Sequence, residues 1–177
     1  YNSLKDKKII IYKNKIRFLM SDANLQNLLA TYVINFILKQ KDENFIKSLS
    51  FLETPEHRME FIGKYKNLSF FNDSKSTNVS SAKSALKNSA NIFWILGGRA
   101  KVGGLNGIEK NLKNVRYAFT YGECGKQFSS FFKDKGIKCT FKKTLKEITS
   151  LAIKKAISQK KDINIIFSPA AASFDQF

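Results

Sequence analysis

Apolar positions along the chain follow two different patterns, and the change between them divides it into two parts. Up to about residue 52, apolar side chains recur every three or four positions, as in Leu25, Leu28 and Leu29. This spacing is typical of amphipathic helices, and we expect the first helix to bury one broad face. Two apolar runs before it, split by Lys13-Asn14, predict a β-hairpin. The predicted elements are strands 8–12 and 15–20 and helices 24–40 and 43–52.

A proline marks the predicted boundary between the two parts. The segment Glu53-Thr54-Pro55-Glu56 is mostly polar, and its proline would stop a helix and hold the preceding residue in extended geometry. We therefore predict two domains, residues 1–53 and residues 54–177.

Beyond the boundary, short apolar runs alternate with amphipathic helices. Residues 92–96 and 163–167 are almost continuously apolar, as expected for strands that are covered on both faces. The alternation predicts an α/β fold with a mostly parallel, doubly wound sheet flanked by helices. The predicted strands are 59–64, 68–72, 91–96, 115–120, 137–141 and 163–167, and the predicted helices are 78–88, 105–113, 125–135 and 145–160.

The ends of four predicted strands carry the residues best suited to bind a ligand. In a doubly wound sheet, ligands bind beyond the carboxyl ends of the strands. Backbone N–H groups, hydroxyls and ammonium groups at that edge would suit a carboxylate or a phosphate. Taken alone, each strand exit could equally be an ordinary turn, and Ser76 or Thr77 could equally be a helix cap. Together they favour an anion site. The four exits are residues 73–78, 97–101, 121–122 and 168–174.

The charge balance allows a different interpretation. Lysine and arginine total 31 against 14 acidic residues, which gives a net charge of +17 and would suit a nucleic acid or a membrane surface. Only four of these cations are arginine, however, and the lysines are scattered through every predicted helix of the second part instead of clustering with aromatic side chains. We therefore predict a solvated basic surface without a nucleic-acid partner. A basic α/β nucleic-acid-binding module remains an alternative.

Several kinds of site are excluded by the residues that the sequence lacks. It has no GxxxxGK[ST] loop and no GxGxxG turn, so neither common phosphate-binding loop is present. His57 is the only histidine, so we expect neither a Ser-His-Asp triad nor a histidine-based metal site. His57 itself lies beside the predicted boundary and could have a structural or hinge role or contact a ligand. Cys124 and Cys139 lack metal-ligand spacing and indicate a reducing compartment. No apolar run reaches the roughly 18 residues of a spanning helix, so no membrane insertion is expected.

Four segments resemble motifs of the Mur ligases of peptidoglycan synthesis. Residues 72–78 (NDSKSTN) resemble the family's NDSK-A/S-TN motif, and residues 55–60 (PEHRME) are similar to its P-x-HR-x-E linker. Gly97-Gly98 with Lys101 resembles the member-specific lysine loop. The ending 167–177 (FSPAAASFDQF) is nearly the LSPACASFDQF signature of the D-glutamate-adding member. The resemblance extends from about residue 21 to the end.

The resemblance implies a monomeric, cytoplasmic enzyme of three domains. The chain would hold the end of the central ATPase domain and most of a Rossmann-like carboxyl-terminal domain. ATP would phosphorylate the carboxylate of UDP-N-acetylmuramoyl-L-alanine, and the amine of D-glutamate would attack the acyl phosphate. Mg²⁺ would assist this reaction. Its ligands, the P-loop and a carbamylated lysine are all expected upstream of residue 1. As a fragment, the isolated chain is expected to be inactive.

Matching positions give the expected site residues. Lys75 and Lys101 would be catalytic, with Lys75 close to the transferring phosphate, and no metal ligand is expected within the chain. The family usually has His-Asn where this chain has Ala23-Asn24. Another Mur ligase or a folylpolyglutamate synthase remains an alternative. The implied ATP-binding residues are Asn27, Arg58, Asp73 and Lys75, and the implied D-glutamate-binding residues are Thr77, Lys101, Ser173 and Phe174.

Overall fold

Two helices form the described part of the first of two compact units, Tyr1–Thr54 and Pro55–Phe177. The computed structural model describes residues 22–52 and 55–172. The predicted hairpin, Ser173 and Phe174 therefore lie outside the described residues. That the units correspond to an ATPase domain and a ligase domain stays a prediction.

The first unit contains α1 (Asp22–Ile37), α2 (Asp42–Ser48) and a 3-10 turn. Both helices are shorter than predicted, and Lys39, just after α1, adopts a positive φ of 53°. Leu28 on α1 packs with Phe45 and Leu49 in a small core. The predicted broad buried face of α1 is wrong for the described residues, because Leu29 remains 57% exposed and α2 covers only one stretch of the helix.

The second unit contains one sheet, which has six strands among the described residues. Its strand order is β1-β2-β6-β3-β4-β5; β1 pairs antiparallel with β2, and all other neighbours are parallel. The predicted mostly parallel α/β fold is confirmed. The strands are β1 (Glu60–Tyr65), β2 (Leu68–Asn72), β3 (Ile92–Gly97), β4 (Val115–Tyr121), β5 (Cys139–Phe141) and β6 (Ile163–Phe167), and the helices are α3 (Val79–Lys87), α4 (Gly125–Asp134) and α5 (Leu145–Ile157).

Apolar cores cover both faces of the sheet. All six residues of β3 are buried, and alternate residues point to opposite faces. Trp94 lies in the core that includes α3 and α4, whereas Phe93 and Ile95 lie in the core that includes α5. This two-sided burial explains why β3 and β6 have almost continuous apolar sequences.

The predicted helix over residues 105–113 is wrong. The structure has turns there, followed by a 3-10 helix at Glu109–Asn114. Gly107, inside this range, adopts a positive φ of 81°, which an α-helix does not accommodate, and Gly103 and Gly104 just before it do the same. In the part of the chain that the structure describes, no helix combines the length and the apolar character needed to cross a membrane.

Candidate functional site

A cleft of about 720 Å³ opens at the carboxyl ends of β2, β3 and β6. Parallel strands end at the same edge of a sheet, so the loops leaving these strands meet there. The cleft combines ammonium, hydroxyl and amide groups with apolar side chains. The described residues that line it are His57, Ile62, Asn72, Ser74, Lys75, Thr77, Lys101, Phe167, Pro169 and Ala172.

Two groups of loop residues contribute most of this lining. We call residues 55–60 and 72–77 the carboxylate wall, because two carboxylates connect its segments. We call residues 97–101 and 168–172 the backbone wall, because main-chain hydrogen bonds connect its segments.

In the carboxylate wall, Glu60 and Asp73 hold a loop with an unusual backbone. His57 and Met59 have positive φ values of 65° and 49°, which are uncommon for residues other than glycine. The His57 N–H donates to Glu60 Oε2 at 2.9 Å, and the Met59 N–H donates to Asp73 Oδ1 at 3.1 Å. The Lys75 N–H then donates to the His57 carbonyl at 3.1 Å. The backbone of Lys75 is thereby tied to the loop.

Asp73 lies beneath the cleft surface and is only 5% exposed. Its Oδ2 accepts a hydrogen bond from Ser168 Oγ at 2.8 Å, which connects the end of β2 to the end of β6. Burial raises the pKa of Asp73, although hydrogen bonds from Ser76, Ser168 and Met59 and the nearby charge of Arg58 oppose this increase. Asp73 is therefore a buried connection between the two walls.

The backbone wall joins the exits of β3 and β6 through main-chain hydrogen bonds. The Arg99 N–H donates to the Ala172 carbonyl at 2.7 Å, and the Ala172 N–H donates to the Arg99 carbonyl at 3.0 Å. The Gly97 N–H donates to the Pro169 carbonyl at 3.0 Å. These contacts hold Ala172 and the segment that leads into Lys101, and both residues line the cleft.

Gly97 is required by close packing between β3 and β4. Its φ is +146°, and a Cβ atom added there would collide with the carbonyl oxygen of Tyr121. Only glycine combines this conformation with such a close approach of neighbouring backbone.

An ion pair holds the side chain of Arg99. Its Nε and Nη2 donate to the two carboxylate oxygens of Glu123 at 3.0 and 2.8 Å. The hydrogen bonds from Arg99 and its positive charge lower the pKa of Glu123. Lys75 and Lys101 remain the exposed cations among the described cleft-lining residues.

Comparisons with known proteins give relatives in sequence and in fold. No family model matches the chain. It is 36% identical over 157 residues to a UDP-N-acetylmuramoylalanine–D-glutamate ligase of Wolbachia pipientis wMel, covering 88% of this chain and 30% of that protein. It is 34% identical over 155 residues to the same-named ligase of Rickettsia prowazekii, covering 87% of this chain and 35% of that protein. Over most of its length the chain is therefore a homologue of ligases of the Mur family.

The fold is also shared with solved Mur ligase structures. The UDP-N-acetylmuramate–alanine ligase of Thermotoga maritima matches 86% of this chain with a TM-score of 0.66 and 17% identity, and the match covers 35% of that chain. At this identity the likeness concerns the fold alone. The chain spans about a third of the length of the relatives that it matches.

Three of the residues expected from the Mur ligase motifs line the same cleft. Lys75 and Thr77 lie in the carboxylate wall, and Lys101 lies in the backbone wall. Lys101 follows Thr77 by 24 positions and Lys75 by 26 in the sequence, and the parallel sheet brings it to the same cleft. Their individual roles stay predictions.

The other expected residues lie elsewhere. Asp73 is buried, as described above, and Arg58 is exposed on the loop of the carboxylate wall, where its charge acts on Asp73. Asn27 is an exposed residue of α1 in the first unit, and its backbone carbonyl accepts a hydrogen bond from Thr31. Ser173 and Phe174 lie outside the described residues. The predicted ligand contacts of all these residues remain untested.

The sequence assigned no role to several residues that shape the cleft. Asn72 and Glu60 belong to the motifs, but no local signal in the sequence shows that they contact one another and His57. The possibility that Ser76 or Thr77 caps a helix is wrong, because Asn78 caps α3 by accepting a hydrogen bond from the Ser81 N–H. Thr77 is thereby left to line the cleft.

A metal site is not evident in the described parts of the chain. Across residues 22–52 and 55–172, no group of three or more His, Cys, Asp or Glu side chains could hold a metal ion. Cys124 and Cys139 do not form a disulfide with each other, and Cys139 contacts Ser129. The location of the expected Mg²⁺ ligands stays a prediction.

Proposed function

We propose that this chain forms part of an ATP-dependent ligase of peptidoglycan synthesis, and that the ligase adds D-glutamate to UDP-N-acetylmuramoyl-L-alanine in the cytoplasm. The observation that carries the proposal is the meeting of Lys75, Thr77 and Lys101, from two different walls, in one cleft. The names of the Wolbachia and Rickettsia relatives support the same reaction.

The cleft has the chemistry that an acidic amino acid requires. D-glutamate presents two carboxylates and an amine, and Lys101 with the Thr77 hydroxyl supplies a cation and a hydrogen-bond donor for the carboxylates. Apolar residues such as Ile62 and Phe167 line other parts of the cleft. Held between the walls, the amine would be positioned for attack on a neighbouring carbonyl carbon.

Lys75 would neutralise charge in the proposed reaction. An acyl phosphate carries negative oxygens, and amine attack produces a tetrahedral intermediate with a further negative charge. The Lys75 ammonium at the cleft surface would supply a positive charge close to these oxygens. The backbone hydrogen bond from Lys75 to His57 holds the Cα of Lys75 in place for this role.

We also propose that the ligase uses ATP and Mg²⁺, in addition to the groups of this cleft. ATP would supply the phosphoryl group, with Mg²⁺ offsetting the charge of its phosphates. Arg58, Asp73 and Asn27 are the residues that we propose to contact the nucleotide. Asp73 already accepts hydrogen bonds from Met59 and Ser168, so a ribose contact would use its remaining lone pairs.

A chimaera tests the proposed reaction. This chain would replace the matching region of the Wolbachia pipientis ligase, and ADP release would be measured with UDP-N-acetylmuramoyl-L-alanine and D-glutamate together and separately. We expect release to require both, and oxygen-18 from the substrate carboxylate to appear in phosphate because an acyl phosphate forms. L-Glutamate and lysine serve as matched controls.

Acceptance of another amino acid in place of D-glutamate would refute the substrate assignment. ADP release without transfer of the oxygen-18 label would refute the acyl-phosphate mechanism. The folded state of the chimaera is checked by circular dichroism before the assay, so that loss of structure is distinguished from loss of specificity.

A further inference from the structure

We propose that Glu60 is a positioning residue, which sets the loop around His57 and thereby the geometry of Lys75 for binding phosphate. The choice of a phosphate group as the ligand rests on the proposed function. The positioning role of Glu60 rests only on the contacts in the structure. Among the described residues, Glu60 stands outside the cleft lining and acts through its neighbours.

The first step is the backbone contact. Glu60 Oε2 accepts the N–H of His57 at 2.9 Å, at a residue whose φ of 65° is unfavourable for a side chain with a Cβ atom. A charged acceptor bonded to this N–H favours the conformation over the alternatives available to a free loop. Without it, the loop loses one of the contacts that select the left-handed conformation.

The second step fixes the side chain of Asn72. Its Oδ1 accepts the Ser74 N–H at 3.1 Å, which identifies the other terminal atom as Nδ2, a donor. Nδ2 lies 3.3 Å from Glu60 Oε2 and 2.8 Å from His57 Nδ1. The same carboxylate oxygen therefore holds both a backbone group and a side-chain group of the cleft.

The third step fixes the imidazole. Because Asn72 Nδ2 can only donate, His57 Nδ1 must accept, and the neutral ring carries its proton on Nε2. This tautomer is a consequence of the amide orientation that Glu60 helps to set. The imidazole nitrogen chemical shifts report this tautomer. Removing Glu60 would leave them unchanged if Glu60 only packed against its neighbours.

The fourth step reaches the lysine. The His57 carbonyl accepts the Lys75 N–H at 3.1 Å, so the backbone of Lys75 follows the conformation of the loop that Glu60 holds. Three cleft-lining residues, His57, Asn72 and Lys75, are thus connected to one carboxylate that itself stands behind the surface. Removing it should displace the cleft without removing any group that touches a ligand.

The test compares Glu60→Ala and Glu60→Gln with the control Glu56→Ala in the 177-residue chain. Glu56 is an exposed acid on the same loop, so its removal changes the net charge equally. Nitrogen-15 NMR would report the His57 tautomer and the hydrogen exchange of the Lys75 amide. Titration with inorganic phosphate would report the affinity of the cleft.

We expect Glu60→Ala to mix the His57 tautomers, to speed exchange of the Lys75 amide and to weaken phosphate binding about tenfold, from the loss of two hydrogen bonds. Glu60→Gln keeps an acceptor oxygen and should restore the tautomer and most of the affinity. Glu56→Ala should match the parent chain in all three measurements.

An unchanged tautomer and unchanged Lys75 exchange in folded Glu60→Ala would overturn the inference, and so would equal weakening of phosphate binding by Glu56→Ala. If the parent chain binds no phosphate, the proposed function fails, whereas the tautomer and exchange measurements still decide whether Glu60 sets the loop. If Glu60→Ala does not fold, Glu60→Gln is compared with Glu56→Ala alone. A mixture of His57 tautomers in folded Glu60→Gln then overturns the inference.

Discussion

The two walls of the cleft are built by different means, although they converge on the same ligand space. The carboxylate wall depends on side chains, since Glu60 and Asp73 accept the N–H groups of a loop with two left-handed residues. The backbone wall depends on main-chain hydrogen bonds and on a glycine that no other residue can replace. The first wall should therefore respond to charge and pH, and the second to added bulk.

The largest effect is expected in the backbone wall. Gly97→Ala places a methyl group against the Tyr121 carbonyl and should lower the free energy of unfolding by about 3 kcal/mol or more, because backbone must move. Gly63→Ala is the control, since its added Cβ meets nothing within 4 Å. Urea denaturation compares the two, and equal stabilities would contradict the assigned role of Gly97.

The next effect concerns the cations that the two walls present. Lys75→Ala and Lys101→Ala should each weaken D-glutamate or phosphate binding about tenfold or more, since each removes a charged hydrogen-bond donor. The stability of the fold should change little, because both side chains are exposed. Lys110→Ala, which removes an exposed lysine outside the cleft lining, should leave calorimetric binding unchanged. A similar loss in Lys110→Ala would indicate non-specific attraction to the basic surface.

Asp73 should give the carboxylate wall an unusual pH dependence. Burial raises its pKa above the ordinary value of 3.8, so the folded chain binds this proton more tightly than the unfolded chain. The stability that Asp73 contributes is therefore complete below 3.8 and is lost as the pH rises through the raised pKa. Relative to Asp73→Asn, the free energy of unfolding of the unsubstituted chain should fall over this pH range. The fall should be about 1.4 kcal/mol for each unit by which folding raises the pKa of Asp73.

This prediction is checked by denaturation of both proteins across the acidic range. The difference between parent and Asp73→Asn is measured at each pH, which cancels the titration of other groups. A parent that gained stability over the variant with rising pH would show that hydrogen bonds outweigh burial at this carboxylate.

The smallest effect is expected from the ion pair beside the backbone wall. Arg99 and Glu123 are 61% and 52% exposed at their side chains, so solvent screens their attraction. The lowered pKa of Glu123 means that its contribution is present above the unfolded pKa and is lost as the pH falls, opposite in sign to Asp73. A double-mutant cycle with Arg99→Ala and Glu123→Ala should give a small coupling that disappears at high salt. A coupling that persists at high salt would indicate a structural role.

The sequence predicted the sheet well and the loops poorly, for physical reasons. Strands such as β3 are buried on both faces, so their apolar runs identify them without knowledge of the neighbours. The predicted helix over 105–113 failed because Gly107, inside it, adopts a positive φ, as do Gly103 and Gly104 just before it, and glycine permits this without a local polar signal.

The candidate site divides in the same way. Lys75, Thr77 and Lys101 could be predicted because they follow strands in recognisable motifs. The role of Glu60 could not, because it depends on the backbone conformation of His57 and on a contact with Asn72 across two strands. Buried connections such as Asp73 to Ser168 join residues far apart in sequence, and no local pattern encodes them.

The most direct test of the central claim is a titration of the nitrogen-15-labelled chain with D-glutamate, observed at the amides of both walls. If one cleft binds the ligand, the signals of Thr77 in the carboxylate wall and of Lys101 and Ala172 in the backbone wall will shift together with a single dissociation constant. L-Glutamate will bind more weakly. Shifts confined to one wall, or different dissociation constants for the two walls, would contradict the account.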